Sequence, residues 1–167
     1  MPGFTIRKAA QADADELYEM RLLLQRHGEE ANPTIWRLTK KGEEKTRRDT
    51  EEMLKDENGI VLIAERDGAP VGFAYGRHIY REEYEPPNVG QVMLIFVKEP
   101  HRTRGAGSLL VAGLCRFFDS KGVEDVTLNY IHGNTDAEGF WGSLGLEHRL
   151  HIAGIPLEDL KRRLRVP

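Results

Sequence analysis

An apolar run, Met93-Leu94-Ile95-Phe96-Val97, is followed by Arg102-Thr103-Arg104-Gly105-Ala106-Gly107 and then by Ser108-Leu109-Leu110-Val111-Ala112-Gly113-Leu114-Cys115-Arg116-Phe117-Phe118. The first run reads as a buried strand and the last as a helix, so the glycines fall in a strand-to-helix turn. The start of a helix carries backbone N–H groups without intrahelical partners, beside the positive end of the helix dipole. Glycine lets an anion approach that backbone closely, and Arg102 and Arg104 add positive charge at the same place. This segment predicts an α/β fold with a site for a pyrophosphate-bearing cofactor.

Composition narrows the class. The chain has 167 residues, 40% of them hydrophobic, enough for the core of one compact α/β domain over residues 1–167. No repeat or low-complexity linker divides it. With 24 basic and 27 acidic residues and a formal charge of −3, there is no basic field to draw nucleic acid. Cys115 is the only cysteine, which excludes an intrachain disulfide and a cysteine metal cluster; it falls on the apolar stripe of the helix and is expected in the core. The longest apolar stretch, Leu109 to Cys115, is far short of the roughly 20 residues of a membrane span, and Met1 to Gln11 has no signal-like apolar region. A soluble, cytoplasmic protein with no membrane partner is expected.

Along the chain, Phe4 to Lys8 alternates as a strand, and a helix capped near Asp13 follows, with Leu17, Met20, Leu23 and Leu24 on one face. His27 to Gly42, with Gly28, Pro33 and Trp36, reads as a loop or broken helix before a polar helix from about Glu43 to Lys55. Gly59 to Arg66 and Val71 to Tyr80 form a hairpin pair around Asp67-Gly68-Ala69-Pro70. Gln91 to Val97 and Val123 to Ile131 are strands joined through the helix after the glycine turn, which argues that they run parallel. Leu146 to Ile155 suggests a last strand or hairpin, and Pro156 to Leu164 a short basic helix.

The spacing Arg102-x-x-Gly105-x-Gly107 resembles the acetyl-CoA-binding motif of the GNAT N-acetyltransferases, Arg/Gln-x-x-Gly-x-Gly/Ala. A second segment, Asn134-Thr135-Asp136-Ala137-Glu138-Gly139-Phe140-Trp141-Gly142-Ser143-Leu144-Gly145-Leu146, is similar to the family's Asn-x-x-Ala-x-x-(apolar)-Tyr-x-x-Leu-Gly-Phe stretch. The resemblance implies a mixed, mostly antiparallel sheet flanked by helices, with a parallel pair of strands splayed apart where the pantetheine arm of acetyl-CoA enters. It implies backbone contacts from Ile95, Phe96 and Val97 to the pantetheine and thioester, amides of Thr103, Arg104, Gly105, Ala106, Gly107 and Ser108 on the pyrophosphate, and cofactor contacts from Arg102, Asn134 and Trp141. It also implies acetyl transfer to a primary amine of a small molecule or peptide, and makes a homodimer plausible.

Acyl transfer of this kind needs positioning, stabilisation of the carbonyl oxygen as it gains charge, and proton handling. By family analogy the Ile95 N–H is the oxyanion donor. Two departures bear on the protons. Trp141 stands where the family often has a tyrosine acid, and an indole N–H is far too weak an acid to replace a phenol. Met93 stands where family members often carry a glutamate base. Tyr130 and His132, at the end of the strand beside the expected gap, are the candidate proton-handling side chains. Trp36 and the carboxylates Glu82, Glu83 and Glu85 are candidates for the acceptor side, the latter to attract a cationic amine.

Rival classes fare less well. No Gly-x-x-x-x-Gly-Lys occurs, which excludes a P-loop hydrolase, and the turn lacks the third glycine of a dinucleotide-binding fingerprint. His148 and His151 have no third ligand at a recognisable spacing, so no metal site is expected. The absence of the usual tyrosine and glutamate supports one alternative, a non-catalytic acetyl-CoA-binding sensor or interaction domain.

Overall fold

In the computed structural model, which describes residues 3–165, five strands form one mixed sheet in the order β1-β2-β3-β4-β5. The strands are β1 Thr5–Lys8, β2 Gly59–Arg66, β3 Ala69–Tyr80, β4 Asn88–Val97 and β5 Asp125–Leu128. Consecutive strands are antiparallel except β4 and β5, which run parallel. That parallel step follows from α3, Ala106–Ser120, which crosses between them; a parallel pair cannot be joined by a tight turn. By its internal contacts the chain divides into two units. Met1–Asn134 holds the sheet with α1 Ala14–Ala31, α2 Lys40–Met53 and α3; Thr135–Pro167 holds α4 Thr135–Ser143 and α5 Leu157–Leu164.

The faces of the sheet follow from strand alternation. Val61, Ile63, Phe73, Tyr75 and Phe96 pack with Leu17 and Met20 of α1 and Met53 of α2 in one buried cluster. Residues of opposite parity face α3: a Cβ placed on Gly76 or Gly90 would meet the Phe118 ring at 2.9 Å. The apolar stripe of α3 is Ala106, Leu110, Gly113, Leu114 and Phe118, at helical spacing. Cys115, one residue round from Leu114, lies off that stripe and is exposed, contrary to the expectation of a core position.

On α1 the buried stripe includes Leu17 and Met20, with Leu24 partly buried against the same cluster. Leu23, expected on that face, is 40% exposed, while Tyr18 and Leu22, four residues apart, are buried instead. The helix also runs on through Ala31, past the expected break at His27 and Gly28. Gly28 is a packing residue here, not a breaker: a Cβ at this position would collide with the Ile131 side chain beyond β5. The start of α1 is tied to the sheet through Asp13, whose carboxylate takes both Arg7 Nη groups at 2.8 Å and the Ala10 N–H at 2.7 Å. The Arg7 guanidinium holds the Asp13 carboxyl below the usual carboxylate range. Arg7 Nε also donates to Glu65 at 2.7 Å, joining β1 to β2.

The β2–β3 hairpin turns on Asp67 and Gly68, with φ of 52° and 77°, the two left-handed positions of the tight turn whose twist suits paired strands. The expected last strand over Leu146 to Ile155 does not form; these residues have no helix or strand, and Leu150 and Ile152 are 86% and 90% exposed. Their alternation marks a face, but a strand also needs a ladder partner, and no strand lies among the described residues of this unit. The basic helix that follows is present as α5.

Candidate active site

Two registers define a gap in the sheet. β4 pairs with β5 only from Val89 to Val92, opposite Asp125 to Leu128, whereas on its other edge it stays paired with β3 as far as Val97, opposite Gly72. The divergence begins at Met93, the extra residue of a bulge: Tyr75 faces Leu94 and Gly76 faces Val92, leaving Met93 unmatched. From Met93 to Val97, about 13 Å of the β4 edge that faces β5 lies beyond the ladder. The expected β5 of Val123 to Ile131 is trimmed to Asp125–Leu128 for the same reason.

Backbone alternation decides which groups look into the gap. The Lys98 N–H donates to Val71 O of β3 at 2.8 Å, and the Phe96 carbonyl also faces β3, 2.6 Å from the Cβ position of Gly72. The intervening residues, Ile95 and Val97, therefore turn their N–H and C=O toward the open edge, and Phe96 commits its backbone to the antiparallel ladder. Phe96 contributes its ring to the core instead.

The glycine turn starts where β4 stops. After the short 3-10 turn Glu99–His101, Arg102 reaches back so that its Nε donates to the Val97 carbonyl at 3.0 Å, with its guanidinium 5.8 Å from the Phe96 ring centre. Thr103 and Gly105 take left-handed φ values of 58° and 95°. Gly105 is the N-cap of α3 and has no side chain to cap it; the first helical bond is Leu109 N–H to Gly105 O at 3.0 Å. The N–H groups of Ala106, Gly107 and Ser108 thus come before the helical ladder, at the positive end of the dipole. Thr103, Arg104, Gly105 and Ser108 are exposed around them. The start of α3, with N–H groups that precede the ladder, thus stands at the mouth of an open parallel strand pair, the arrangement in which a helix can receive an anion.

Beyond β5, Tyr130 is half-buried and His132 exposed. The loop they occupy is seated on the end of α1, because a Cβ on Gly133, whose φ is 92°, would lie 2.7 Å from the Ala31 carbonyl. The Asn134 N–H closes this turn onto Ile131 O at 3.1 Å. Trp36 is 84% exposed on the α1–α2 connection. Glu82, Glu83 and Glu85 are exposed on the β3–β4 connection, which joins β4 at the end opposite the glycine turn. In the second unit, Trp141 of α4 is only 4% exposed, with its ring centre 4.9 Å from that of Phe140 in an edge-on contact. The His148 and His151 rings lie 6.2 Å apart, and among the described residues no three His, Cys, Asp or Glu gather as metal ligands.

Sequence reasoning missed a polar cluster on the α1/α2 face of the sheet. The Tyr75 hydroxyl donates to Asp56 Oδ2 at 2.5 Å, Arg77 Nε lies 2.7 Å from the same oxygen, and the Asn58 N–H donates to Oδ1 at 3.0 Å. The Arg77 N–H is not aimed at the carboxylate, so that contact is an ion pair without a hydrogen bond. Burial, then Asp56, drive the Tyr75 phenol well above its ordinary range, so it stays a neutral donor. Nearby Arg21 of α1 donates through Nη1 to Thr50 Oγ1 at 2.8 Å and Thr46 O at 3.3 Å. Burial holds its guanidinium below the usual arginine range. The available signal was a tyrosine and an arginine at the inward parity of β3, in line with Val71 and Phe73.

The chain is thus a five-stranded mixed sheet whose parallel pair parts beyond Val92, with the glycine turn and the start of α3 following β4. The acetyltransferase (GNAT) family model matches residues 17–146, and the chain belongs to that family, an enzyme family of acetyltransferases. Solved structures share the fold. The aminoglycoside N-acetyltransferase AAC(6')-Iy in complex with CoA superposes with a TM-score of 0.70 at 21% identity, over 92% of this chain and 94% of that one. A tetramutant of the BH1408 protein from Bacillus halodurans gives a TM-score of 0.80 at 18% identity, over 92% and 99%. An aminoglycoside acetyltransferase from an uncultured soil metagenomic sample, in complex with trehalose, gives 0.67 at 17%, over 92% and 96%. No curated protein matches the chain significantly. No helix among the described residues is long and apolar enough to cross a membrane.

Proposed function

We propose that this protein moves an acetyl group from acetyl-CoA directly to a primary amine of a small molecule or peptide. One observation carries the reading: the unpaired β4 edge, with Ile95 and Val97 facing outward, ends at the turn whose Ala106, Gly107 and Ser108 N–H groups precede the helical ladder. A pyrophosphate at the turn, held by amides from Thr103 through Ser108 with Arg102 and Arg104 beside it, directs the pantetheine arm back along that edge. The thioester then reaches the bulge, where the Ile95 N–H supports the carbonyl oxygen as the amine attacks. The family resemblance implies cofactor contacts from Asn134, and separately from Trp141.

The acceptor enters from the side that CoA leaves free, past Trp36 and the acidic Glu82–Glu85 loop at the far end of β4. Tyr130 and His132, just beyond β5, are our candidates to move the amine proton or meet the leaving thiolate. Positioning supplies most of the acceleration, which is why Met93 and Trp141 are compatible with turnover. The CoA-bound aminoglycoside acetyltransferase of the same fold supports both the cosubstrate and an amine-bearing acceptor. We take residues 1–167 as one acetyltransferase domain, since the family match runs across both units. A cytoplasmic location suits the free, exposed thiol of Cys115.

The test is a panel of amines assayed for thiol release from acetyl-CoA. At least one amine should accelerate release well above the hydrolytic background. Tight acetyl-CoA binding with no amine-dependent release across the panel would favour a sensor and overturn the transferase reading.

A further inference from the structure

The cluster around Tyr75 has chemistry that the transfer reaction just described leaves unused. Tyr75 stands opposite Leu94 and Arg77 opposite Gln91, so this stretch of β3 runs one strand over from the β4 bulge, with the Tyr75 ring leaning toward Gly59 of β2. Arg77 shares its face, two residues along β3, and Arg21 reaches the same region from α1. The neighbouring carboxylates are already engaged. Asp56 takes Tyr75, Asn58 and Arg77, and Asp49 takes Lys45 Nζ at 2.7 and 2.6 Å. Among the described residues no carboxylate lies within ion-pair reach of Arg21, and its bonds to Thr46 and Thr50 use Nη1 alone.

We propose that Arg21 and Arg77 form an anion subsite on the acceptor side of the cleft, and that the acceptor is an amino acid whose carboxylate they hold while its amine faces the thioester. The proposal rests on the transferase reading above. With Asp56 paired to Arg77 and Asp49 to Lys45, the Arg21 guanidinium leaves net positive charge, and the two arginines carry donors arranged in forks, the geometry that matches a carboxylate. A half-buried guanidinium with no carboxylate in ion-pair reach is costly to keep, and a ligand carboxylate would supply that contact. Tyr75 and Asp56 act as positioning residues by fixing the Arg77 side of the subsite. The acidic Glu82–Glu85 loop and the two arginines would then orient a zwitterion by its opposite ends.

The test pairs acceptors that differ only in the anion, α-amino acids and their amides, in the thiol-release assay, with R77M and R21M alongside. Wild type should favour the acid over its amide by at least tenfold in kcat/KM, about 1.4 kcal/mol. R77M should remove that preference by slowing the acid more than the amide; its half-exposed side chain keeps the comparison readable if R21M folds poorly. Equal kcat/KM for acid and amide in wild type, or a preference that survives both substitutions, overturns the subsite. A second measurement needs no turnover. N-acetyl amino acids should raise the Tm of the wild-type CoA complex more than N-acetyl amino amides, and R77M should lose the difference. Equal shifts overturn the subsite while leaving the transferase reading intact, whereas absence of any CoA binding overturns that reading itself.

Discussion

The Nε of Arg102 donates to the carbonyl of Val97 at 3.0 Å, so the first residue of the glycine turn is tied to the last residue of β4. Val97 is also one of the two residues whose backbone faces the open strand edge. The bond therefore ties the turn before the start of α3 to the strand edge, the two parts of the proposed cofactor site. Replacing Arg102 by methionine keeps most of the apolar stem and removes the donor. Acetyl-CoA affinity measured by calorimetry should fall by about tenfold, the value of one charge-assisted hydrogen bond of roughly 1.5 kcal/mol. Unchanged affinity would show that the strap is not part of the site.

The two glycines of the turn should fail in different ways. Gly105 has a φ of 95° and open space around its Cβ position, so alanine there is opposed only by backbone strain. At about 1 kcal/mol, Gly105→Ala should lower Tm by roughly 2–4 °C. Gly107 lies inside α3 and is not among the left-handed glycines. Gly107→Val should leave the circular dichroism spectrum and melting curve near wild type yet abolish acetyl-CoA binding, by placing a branched side chain among the free N–H groups.

Trp141 separates packing from chemistry. Its ring is buried and meets Phe140 edge-on, while its carbonyl accepts the N–H groups of Leu144 and Leu146. Trp141→Phe keeps the aromatic contact and removes only the indole N–H. Turnover should change by less than about tenfold, or roughly 1.4 kcal/mol of barrier. Trp141→Ala should cost about 3 kcal/mol of stability through the lost ring. A thousandfold loss in the phenylalanine variant with intact cofactor affinity would place the indole in the reaction.

Cys115 tests whether transfer is direct. It lies on the exposed side of α3, off the stripe that packs on the sheet. An alkylating reagent should modify it to one equivalent in the folded protein, and Cys115→Ala should retain turnover. An acetyl adduct on this thiol that discharges to amine, seen by mass spectrometry, would replace direct transfer with a two-step route.

Acid should weaken the junction of β1 and α1. The Asp13 carboxyl is held low by Arg7, so its folded-state pKa lies below its unfolded value. Its contribution is therefore fully present above the unfolded pKa of about 3.9 and is lost as pH falls through the depressed folded value. Asp13→Asn should cost about 1 kcal/mol at neutral pH, since Arg7 is partly solvated, and the gap to wild type should narrow as pH falls through the depressed folded value. A gap that stays constant across denaturation curves at pH 7 and pH 2.5 would assign the effect to the hydrogen bonds alone.

Local order dominates what the sequence of this protein determined by itself. The hairpin at Asp67-Gly68, the strand before Arg102 and the helix after Gly107 are written in turn chemistry and periodicity that act within a few residues. The parallel β4–β5 step follows as well, because the crossover helix between them leaves little choice. Tertiary structure decided the rest. Gly28 reads as a break until Ile131 is found against it, and the alternation of Leu146 to Ile152 reads as a strand where the structure forms none. The end of β5 at Leu128, and with it the open edge of Ile95 and Val97, coincides with a bulge at Met93 that is defined only by the register with β3. The grouping of Arg21, Asp56, Tyr75 and Arg77 joins a helix, a loop and a strand far apart in the chain. Register and long-range packing are properties of pairs of segments, and no single segment carries them.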